Sequence, residues 1–117
     1  MGRLTTHVLD TAHGTPGSGI EVRLYRAGGD GFELVQSVLT NADGRADAPL
    51  LEGVLMRAGR YRLVFAAGAY FRRIGTPLAD PPFVDDVTLD FGIADTSAHY
   101  HVPLLVSPWS YATYRGS

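Results

Sequence analysis

The stretch VTLDFGI, residues 87–93, is the clearest strand signal in the sequence and decides the fold class. Its four apolar residues occupy every second position, and polar or small residues stand between them. Successive side chains of a strand point to opposite faces, so this period of two predicts a strand with one buried face. A helix would instead place its apolar residues three or four positions apart.

The same alternation recurs on both sides of this stretch. Glycines and prolines, 14 and 7 in number, separate the apolar segments as turns do between short strands. Only residues 66–74 have a composition in which a short helix is credible. Seven or eight short strands with one short helix predict an all-β fold, a β-sandwich or a small barrel. The predicted strands are residues 4–10, 20–25, 32–40, 61–65, 87–93, 100–106 and 111–115, with a slip in the alternation at Leu34-Val35.

Length and composition narrow the classes of function. The 117 residues make one domain, residues 1–117, because they are too few for two separate cores. No cysteine is present, which excludes disulfides, thiolate metal sites and a cysteine nucleophile. A formal net charge of −2 is not typical of a chain that binds nucleic acid or an anionic membrane surface.

The N-terminal segment does not have the pattern of a targeting signal. Thr5, Thr6 and His7 interrupt the apolar residues before these reach the length of a signal-peptide core. No stretch of the sequence approaches the ~18 apolar residues that a membrane-spanning helix requires. We therefore expect a cytoplasmic protein.

Three of the four histidines lie on or beside predicted strands. His7 shares a strand face with Thr5, while His99 and His101 share a face with one another, about 6–7 Å apart by strand rise. The same-face pair has three interpretations: a polar outer face of a sandwich, two ligands of a zinc site that would need a third, or a general base that works near neutral pH. The residues alone leave all three open. His13 falls in a turn-rich segment, where we expect a solvated side chain.

Arg45 and the chain end are two further candidates. Arg45 follows the turn signal Asn-Ala-Asp-Gly, residues 41–44. Most arginines just after a turn are solvated, although a turn can also aim the planar guanidinium at an anionic or carbonyl-rich ligand. At the C-terminus an aromatic, strand-favouring run continues almost to the last residue, whereas chain ends commonly fray. The pattern predicts an ordered terminus that holds Ser117 and its carboxylate at a fixed place.

Three blocks of the sequence resemble the 5-hydroxyisourate hydrolases, which are the enzymes of the transthyretin family. These blocks are LTTHVLDTAHGTPGSGIEVRLYR (residues 4–26), TNADGRADAPLLEG (residues 40–53) and HYHVPLLVSPWSYATYRGS (residues 99–117). The resemblance covers nearly the whole chain. Its most specific part is the Tyr-Arg-Gly-Ser ending, which separates the hydrolases from the hormone-carrying transthyretins.

The resemblance implies a fold, an assembly and a reaction. The fold is a transthyretin-like β-sandwich with one short helix, assembled as a homotetramer of two dimers with the active sites between the dimers. The reaction is the hydrolysis of 5-hydroxyisourate to 2-oxo-4-hydroxy-4-carboxy-5-ureidoimidazoline, a step of urate degradation in purine catabolism. It requires no metal and no organic cofactor, so the implied partners are the small-molecule substrate and further copies of the chain.

Four positions match the family's catalytic residues, and three more complete the terminal motif as substrate-binding residues. The catalytic four are His7, Arg45, His101 and Ser117. The substrate-binding three are Tyr114, Arg115 and Gly116. In this assignment the histidines activate the water and the arginine stabilises the oxyanion. His99 belongs to the motif without a role that carries over.

The sequence also departs from the family pattern and leaves other functions open. The departures are Ala69, Trp109-Ser110 and Ala112, none of which is a matched site, so they concern local packing. One alternative function is a non-catalytic transthyretin-like module that binds a small molecule. Another is a structural sandwich domain. Neither alternative requires the matched residues to occur together.

Overall fold

The computed structural model describes residues 1–117 and contains two β-sheets, one α-helix and one short 3₁₀ turn. The strands are β1 (Arg3–Asp10), β2 (Thr15–Pro16), β3 (Glu21–Gly28), β4 (Gly31–Leu39), β5 (Leu51–Glu52), β6 (Gly59–Phe65), β7 (Val87–Ile93), β8 (His99–Val106) and β9 (Tyr111–Thr113). The helix α1 is Ala67–Arg73, and the 3₁₀ turn is Gly53–Leu55. One sheet has the order β2-β1-β8-β9 with β5 paired to β1, and the other has the order β4-β3-β6-β7.

A single hydrophobic cluster of 22 buried residues holds side chains from both sheets. Leu4 and Leu104 of the first sheet are fully buried in it, as are Leu24 and Leu63 of the second. Burying a side chain of this size contributes about 1.5–3 kcal/mol to folding. The molecule is therefore the predicted all-β sandwich, with six longer strands and three strands of only two or three residues.

Strand β7 has the bounds that its alternation predicts. Its apolar positions Val87, Leu89 and Ile93 are buried, whereas Thr88 and Asp90 between them are exposed. The strand pairs antiparallel with β6 over its whole length, from Gly59–Ile93 to Phe65–Val87. The period of two in the sequence therefore corresponds to two faces of β7, one packed in the core and one pointing outward.

The hairpin between β3 and β4 explains the slip in the predicted alternation. Its two-residue loop closes between Gly28 and Gly31, and Gly29 takes a φ of +54°, which such tight hairpin turns require. Further along, the pairing register shifts between Leu24 and Tyr25, so Val35 on the facing strand has no direct partner. An irregularity of this kind is a β-bulge, which breaks the alternation at that point.

Helix α1 covers most of the predicted residues 66–74 and packs on the end of β1. Its Tyr70 is buried and donates a 2.7 Å hydrogen bond to the carboxylate of Asp10, whose side chain is completely buried. His13 contacts the same carboxylate through Nδ1 at 2.7 Å. The expectation of a solvated His13 is therefore wrong in part, because Nδ1 of its ring is held by a buried carboxylate. No helix in the structure is long and apolar enough to cross a membrane.

Candidate active site

The three histidines of the strands, His7, His99 and His101, lie on one face of two neighbouring strands. Strands β1 and β8 run parallel, with Thr5 opposite His101 and His7 opposite Pro103. The side chains that alternate with them, such as Leu4 and Val8, are buried in the core. Neighbouring strands are ~4.8 Å apart, so the polar side chains of the other face form one patch on the outside of the sheet. This polar patch consists of Arg3, Thr5 and His7 of β1 with His99 and His101 of β8.

The turn that carries Arg45 is bonded to the edge of β1 opposite β8, between the short strands β5 and β2. Val8 donates a 2.8 Å hydrogen bond to the carbonyl of Gly44, and His7 and Arg45 form a β-bridge. The side chain of Asn41 accepts hydrogen bonds from the backbone N–H of Asp43 and of Arg45 at 2.9 and 3.1 Å. These contacts place Arg45 directly beside His7.

Glycine is required at position 44 of this turn. Its φ is +76°, and a Cβ there would lie 2.3 Å from the carbonyl oxygen of Val8. Any other residue would both strain the backbone and push the turn away from β1. The Asp-Gly turn signal in the sequence therefore reflects the close approach that brings Arg45 to the polar patch.

The C-terminal tail is fastened to the opposite edge, along β8. Gly116 donates a 2.7 Å hydrogen bond to the carbonyl of His101 and accepts one of 3.3 Å from its N–H. A Cβ on Gly116 would lie only 3.1 Å from Cβ of His101 and 3.2 Å from its ring carbon Cδ2. The tail thus packs tightly against β8 as far as Gly116, and the fixed position of Ser117 stays a prediction.

Between the turn and the tail lies a cleft of about 350 Å³, which we call the His–Arg cleft. Its lining is mainly polar and joins residues from both strands, the turn and the chain end. The side chains that matter here are Arg3, Thr5, Arg45, His99, His101 and Ser117. Three of the four predicted catalytic residues therefore line one cavity, although they are far apart in the sequence.

His7, the fourth predicted catalytic residue, lies next to this cleft with its ring held in one orientation. Its Nε2 is 2.9 Å from the backbone carbonyl of Asp43. A carbonyl oxygen only accepts hydrogen bonds, so Nε2 of His7 carries the proton that it donates. In the neutral ring the other nitrogen, Nδ1, is then the only atom that can take up a proton.

The predicted pair His99 and His101 also has the expected spacing, with ring centroids 6.2 Å apart. Burial lowers the pKa of His101, and the positive charge of Arg45 lowers it further. Burial likewise lowers the pKa of His99, with Arg3 adding to the effect. Both rings are therefore held in the neutral form at neutral pH, as a proton acceptor must be.

The three predicted substrate-binding residues lie at two different places in the chain's structure. Gly116 packs against His101, whereas Tyr114 and Arg115 line a second cleft on the side towards β7. The Arg115 guanidinium lies over the ring of Tyr100, 4.2 Å from its centroid. Within one protomer, these two side chains face away from the His–Arg cleft.

The sequence did not point to Arg3, Thr5 or Asp43 as parts of the site. Thr5 had one visible signal, since it shares a strand face with His7. Its contact with His99 and His101 depends on the pairing of β1 with β8, which no local pattern reveals. The three departures noted above, Ala69, Trp109 and Ala112, are exposed and do not line this cleft.

The comparisons with known proteins agree on one family. A family model described as the HIUase/Transthyretin family matches residues 4–116. A 5-hydroxyisourate hydrolase from Pseudomonas aeruginosa is 60% identical over 117 residues, which is all of this chain and 93% of that protein. A 5-hydroxyisourate hydrolase from Ralstonia nicotianae is also 60% identical, with complete coverage of both chains.

Solved structures give the same result. A 5-hydroxyisourate hydrolase from Klebsiella pneumoniae superposes with a TM-score of 0.83 at 38% identity and full coverage of both chains. A transthyretin from Sparus aurata gives a TM-score of 0.86 at 28% identity, covering 97% and 96% of the two chains. An (S)-allantoin synthase gives 0.94 at 45% identity over 99% of this chain, which spans only 44% of that longer protein.

Proposed function

Since the chain belongs to the HIUase/transthyretin family, we propose that it is a 5-hydroxyisourate hydrolase whose reaction takes place in the His–Arg cleft. The activity is supported by relatives of that name at 60% identity over the whole chain. The location is supported by one observation above the others. His101, Arg45 and Ser117 come from a strand, a turn and the chain end, yet they line the same cavity.

The chemistry begins with a water molecule that attacks a ring carbonyl of the substrate. Water is a poor nucleophile, and a positioned base typically accelerates such a step by ~10²–10⁴-fold. His101 suits this role because it lines the cleft and burial lowers its pKa, so the ring is unprotonated at neutral pH. In our proposal Nε2 of His101 takes the proton from the attacking water.

Attack on the carbonyl places negative charge on its oxygen, and a nearby cation stabilises that charge. The Arg45 guanidinium lines the cleft and forms none of the four ion pairs of the chain. A preorganised donor aimed at a developing oxyanion is worth ~2.7–4 kcal/mol in comparable sites. Arg45 is the group that supplies this stabilisation in our proposal.

The ring C–N bond then breaks, and the departing nitrogen needs a proton. The proton that Nε2 of His101 took from the water supplies it, and its delivery returns the ring of His101 to the neutral form. His7 borders the cleft and donates its Nε2–H to the carbonyl of Asp43, so its Nδ1 can accept a hydrogen bond from the attacking water. We therefore assign both the activation of water and the protonation of the leaving nitrogen to His101, and the positioning of the attacking water to His7.

In our proposal Ser117 contributes its hydroxyl. The two backbone hydrogen bonds between Gly116 and His101 hold this residue at the border of the cleft. We propose that it orients the substrate or a histidine. Tyr114 and Arg115 line the other cleft of the protomer, so a direct contact with substrate remains a prediction for them.

We also propose that the working enzyme is a homotetramer built from two dimers. The polar patch lies on an exposed sheet face, and Trp109 and Tyr111 beside the tail are 69% and 50% exposed. Large aromatic side chains of this kind are enriched at protein interfaces. Light scattering after size exclusion should then give about four times the 12.6 kDa of one chain.

The test of the catalytic assignment is His101→Asn. The change keeps a polar side chain of similar size and removes the proton acceptor, so turnover of freshly generated 5-hydroxyisourate should fall ~10²-fold or more. The control is His13→Asn, the same substitution at a histidine outside the cleft, which should keep turnover near the wild-type value. A tetrameric His101→Asn variant with wild-type turnover would show that the base has been wrongly assigned.

The same assay separates hydrolysis from the alternative of a small-molecule binding module. A binding module would lower the free concentration of 5-hydroxyisourate only up to one equivalent of protein and then stop. An enzyme at nanomolar concentration should accelerate the decay of the substrate absorbance over many turnovers. Decay at the spontaneous rate with intact wild-type protein would refute the proposed activity.

A further inference from the structure

The hydroxyl of Thr5 lies between the two cleft histidines of β8. Its Oγ1 is 2.8 Å from Nε2 of His99 and 2.8 Å from Nδ1 of His101. This contact follows from the parallel register, which places Thr5 opposite His101 and Arg3 opposite His99. A single half-buried hydroxyl therefore joins the base proposed above to a histidine without an assigned role.

Counting hydrogen atoms limits how the three groups can be arranged. A hydroxyl has one proton to donate, whereas each contact needs one proton between its two heavy atoms. At least one of the two rings must therefore donate an N–H to Thr5. Two neutral rings could also both donate to the two lone pairs of Thr5, but its own proton would then have no acceptor among the hydrogen bonds of the protein. With Thr5 donating within the cluster, either His101 donates from Nδ1 and Thr5 donates to His99, or the whole chain runs in the opposite direction.

The two directions have opposite consequences for the reaction. If His101 donates from Nδ1, its Nε2 has a lone pair and can accept a proton from water. If His101 accepts at Nδ1, its Nε2 carries the proton of the neutral ring and cannot act as a base. Only the first direction is compatible with the role of His101.

We propose that Thr5 and His99 are positioning residues that fix His101 in the tautomer whose Nε2 is the free proton acceptor. The direction of the chain rests on the proposed function, whereas the 2.8 Å contacts do not. Nδ1–H of His101 donates to Oγ1 of Thr5, and the hydroxyl of Thr5 donates to Nε2 of His99. A hydrogen bond to the second ring nitrogen is a common way to select a histidine tautomer.

The proton that His101 takes up strengthens this arrangement. In the imidazolium form Nδ1–H is a charged donor, and a charge-assisted hydrogen bond is roughly twice as strong as a neutral one. Thr5 therefore stabilises His101 in both forms and holds its orientation through the reaction. The charged or titratable groups around the pair are Arg3, His7, Arg45, Asp47 and Arg115.

The test compares Thr5→Val with Thr5→Ser in the full-length protein. Valine has the shape of threonine and no hydroxyl, whereas serine keeps the hydroxyl and loses only a methyl group. We expect Thr5→Val to lower kcat ~10-fold with KM within about 2-fold, because the correct tautomer is no longer selected. Thr5→Ser should recover most of that loss.

Two further readouts separate a positioning role from a packing role. Without the hydroxyl, the imidazolium loses a stronger hydrogen bond than the neutral ring does, so the acid limb of kcat/KM should move about half a pH unit lower. Nitrogen NMR of protein labelled only at its four histidines reports which ring nitrogen carries the proton. Neutral His101 should be protonated at Nδ1 in the wild type and in Thr5→Ser, and this preference should be lost in Thr5→Val.

A matched control is Thr11→Val. The hydroxyl of Thr11 also bonds to β8, at 3.2 Å from the carbonyl of Val106, but it lies outside the cleft. Its loss should leave kcat, the pH profile and the tautomer of His101 unchanged. Any change here as large as that in Thr5→Val would assign the effect to loosened strand packing and overturn the proposal.

The NMR measurement needs no substrate, so it also distinguishes the two ways in which the argument can fail. If the wild type does not hydrolyse 5-hydroxyisourate but His101 is protonated at Nδ1, the proposed function fails and the tautomer assignment stands. If hydrolysis is normal but wild-type His101 is protonated at Nε2, the positioning role is refuted. Equal losses in Thr5→Val and Thr5→Ser would refute it as well.

Discussion

Replacing Gly116 with alanine should lower kcat/KM by about 3- to 10-fold without unfolding the protein. The reason is the close packing of the tail on His101, the proposed base. A Cβ on residue 116 would lie 3.1 Å from Cβ of His101 and 3.2 Å from Cδ2, whereas ordinary van der Waals contacts begin at 3.4 Å. The φ of Gly116 is not in the left-handed region, so the added methyl group strains contacts and not the backbone.

The magnitude follows from the size of this overlap. To restore ordinary contact, either the tail or the ring of His101 must move by about 0.3 Å, and the two backbone hydrogen bonds between residues 101 and 116 resist the movement. Misplacing a reacting group by 1 Å can cost ~10²-fold in rate, which scales to roughly 4-fold for a shift of 0.3 Å. The loss should fall mainly on kcat, because the change acts on the base.

The assay is the decay of 5-hydroxyisourate absorbance, measured for the Gly116→Ala variant over a range of substrate concentrations. The matched control is Gly31→Ala at the start of β4, where an added Cβ has no heavy atom within 4 Å. To separate movement of His101 from movement of Ser117, residue 117 is also deleted with and without the alanine. If the alanine acts through His101, it should lower the rate in both backgrounds.

Wild-type kcat/KM in Gly116→Ala would refute this reasoning, because the tail would then not determine the position of His101. A further outcome would also contradict it. If the alanine had no effect once residue 117 is deleted, the tail would act only by placing Ser117.

Two other variants test the electrostatics of the cleft and the support of β1. Arg45→Gln should lower kcat ~10²–10³-fold, because the developing oxyanion loses its cation. Burial and the charge of Arg45 both lower the pKa of His101, so removing Arg45 raises that pKa and should move the acid limb of kcat/KM to higher pH. The control Arg60→Gln should change neither kcat nor the pH profile. Tyr70→Phe should cost about 1.5–3 kcal/mol in urea unfolding at fixed protein concentration, because the buried Asp10 carboxylate loses a 2.7 Å donor. Unchanged urea midpoints would show that the remaining partners of the carboxylate, the backbone N–H groups of Ala12 and His13 and the ring of His13, satisfy it without Tyr70.

The surroundings of the buried Tyr70 hydroxyl shift its pKa. Burial and the hydrogen bond to Asp10 raise the pKa of Tyr70 to about 12. This is the expected direction, because ionising the phenol would place a second negative charge beside a buried carboxylate. The Tyr70 phenol therefore keeps its proton across the physiological pH range, and its hydrogen bond to Asp10 joins α1 to β1 throughout that range.

Local patterns in the sequence predicted the six longer strands to within a few residues and the faces of their side chains, but not the two-residue strands β2 and β5. The alternation in residues 87–93 gave the bounds of β7, and the same rule placed His99 and His101 on one face with a spacing close to the observed 6.2 Å. The turn around Gly44 was also visible, because only glycine suits its φ of +76° next to the backbone of β1. These features depend on neighbours a few residues apart, so a single sequence contains them.

The tertiary structure alone decided how these pieces meet. β1 and β8 are parallel neighbours, although almost 90 residues separate their sequences, and their register brings Thr5 to His101. The register follows from burying one face of each strand in a core shared with the other sheet, so the whole chain determines it. The sequence determined which side chains could act, and the long-range pairing of strands decided which of them lie within 2.8 Å of one another.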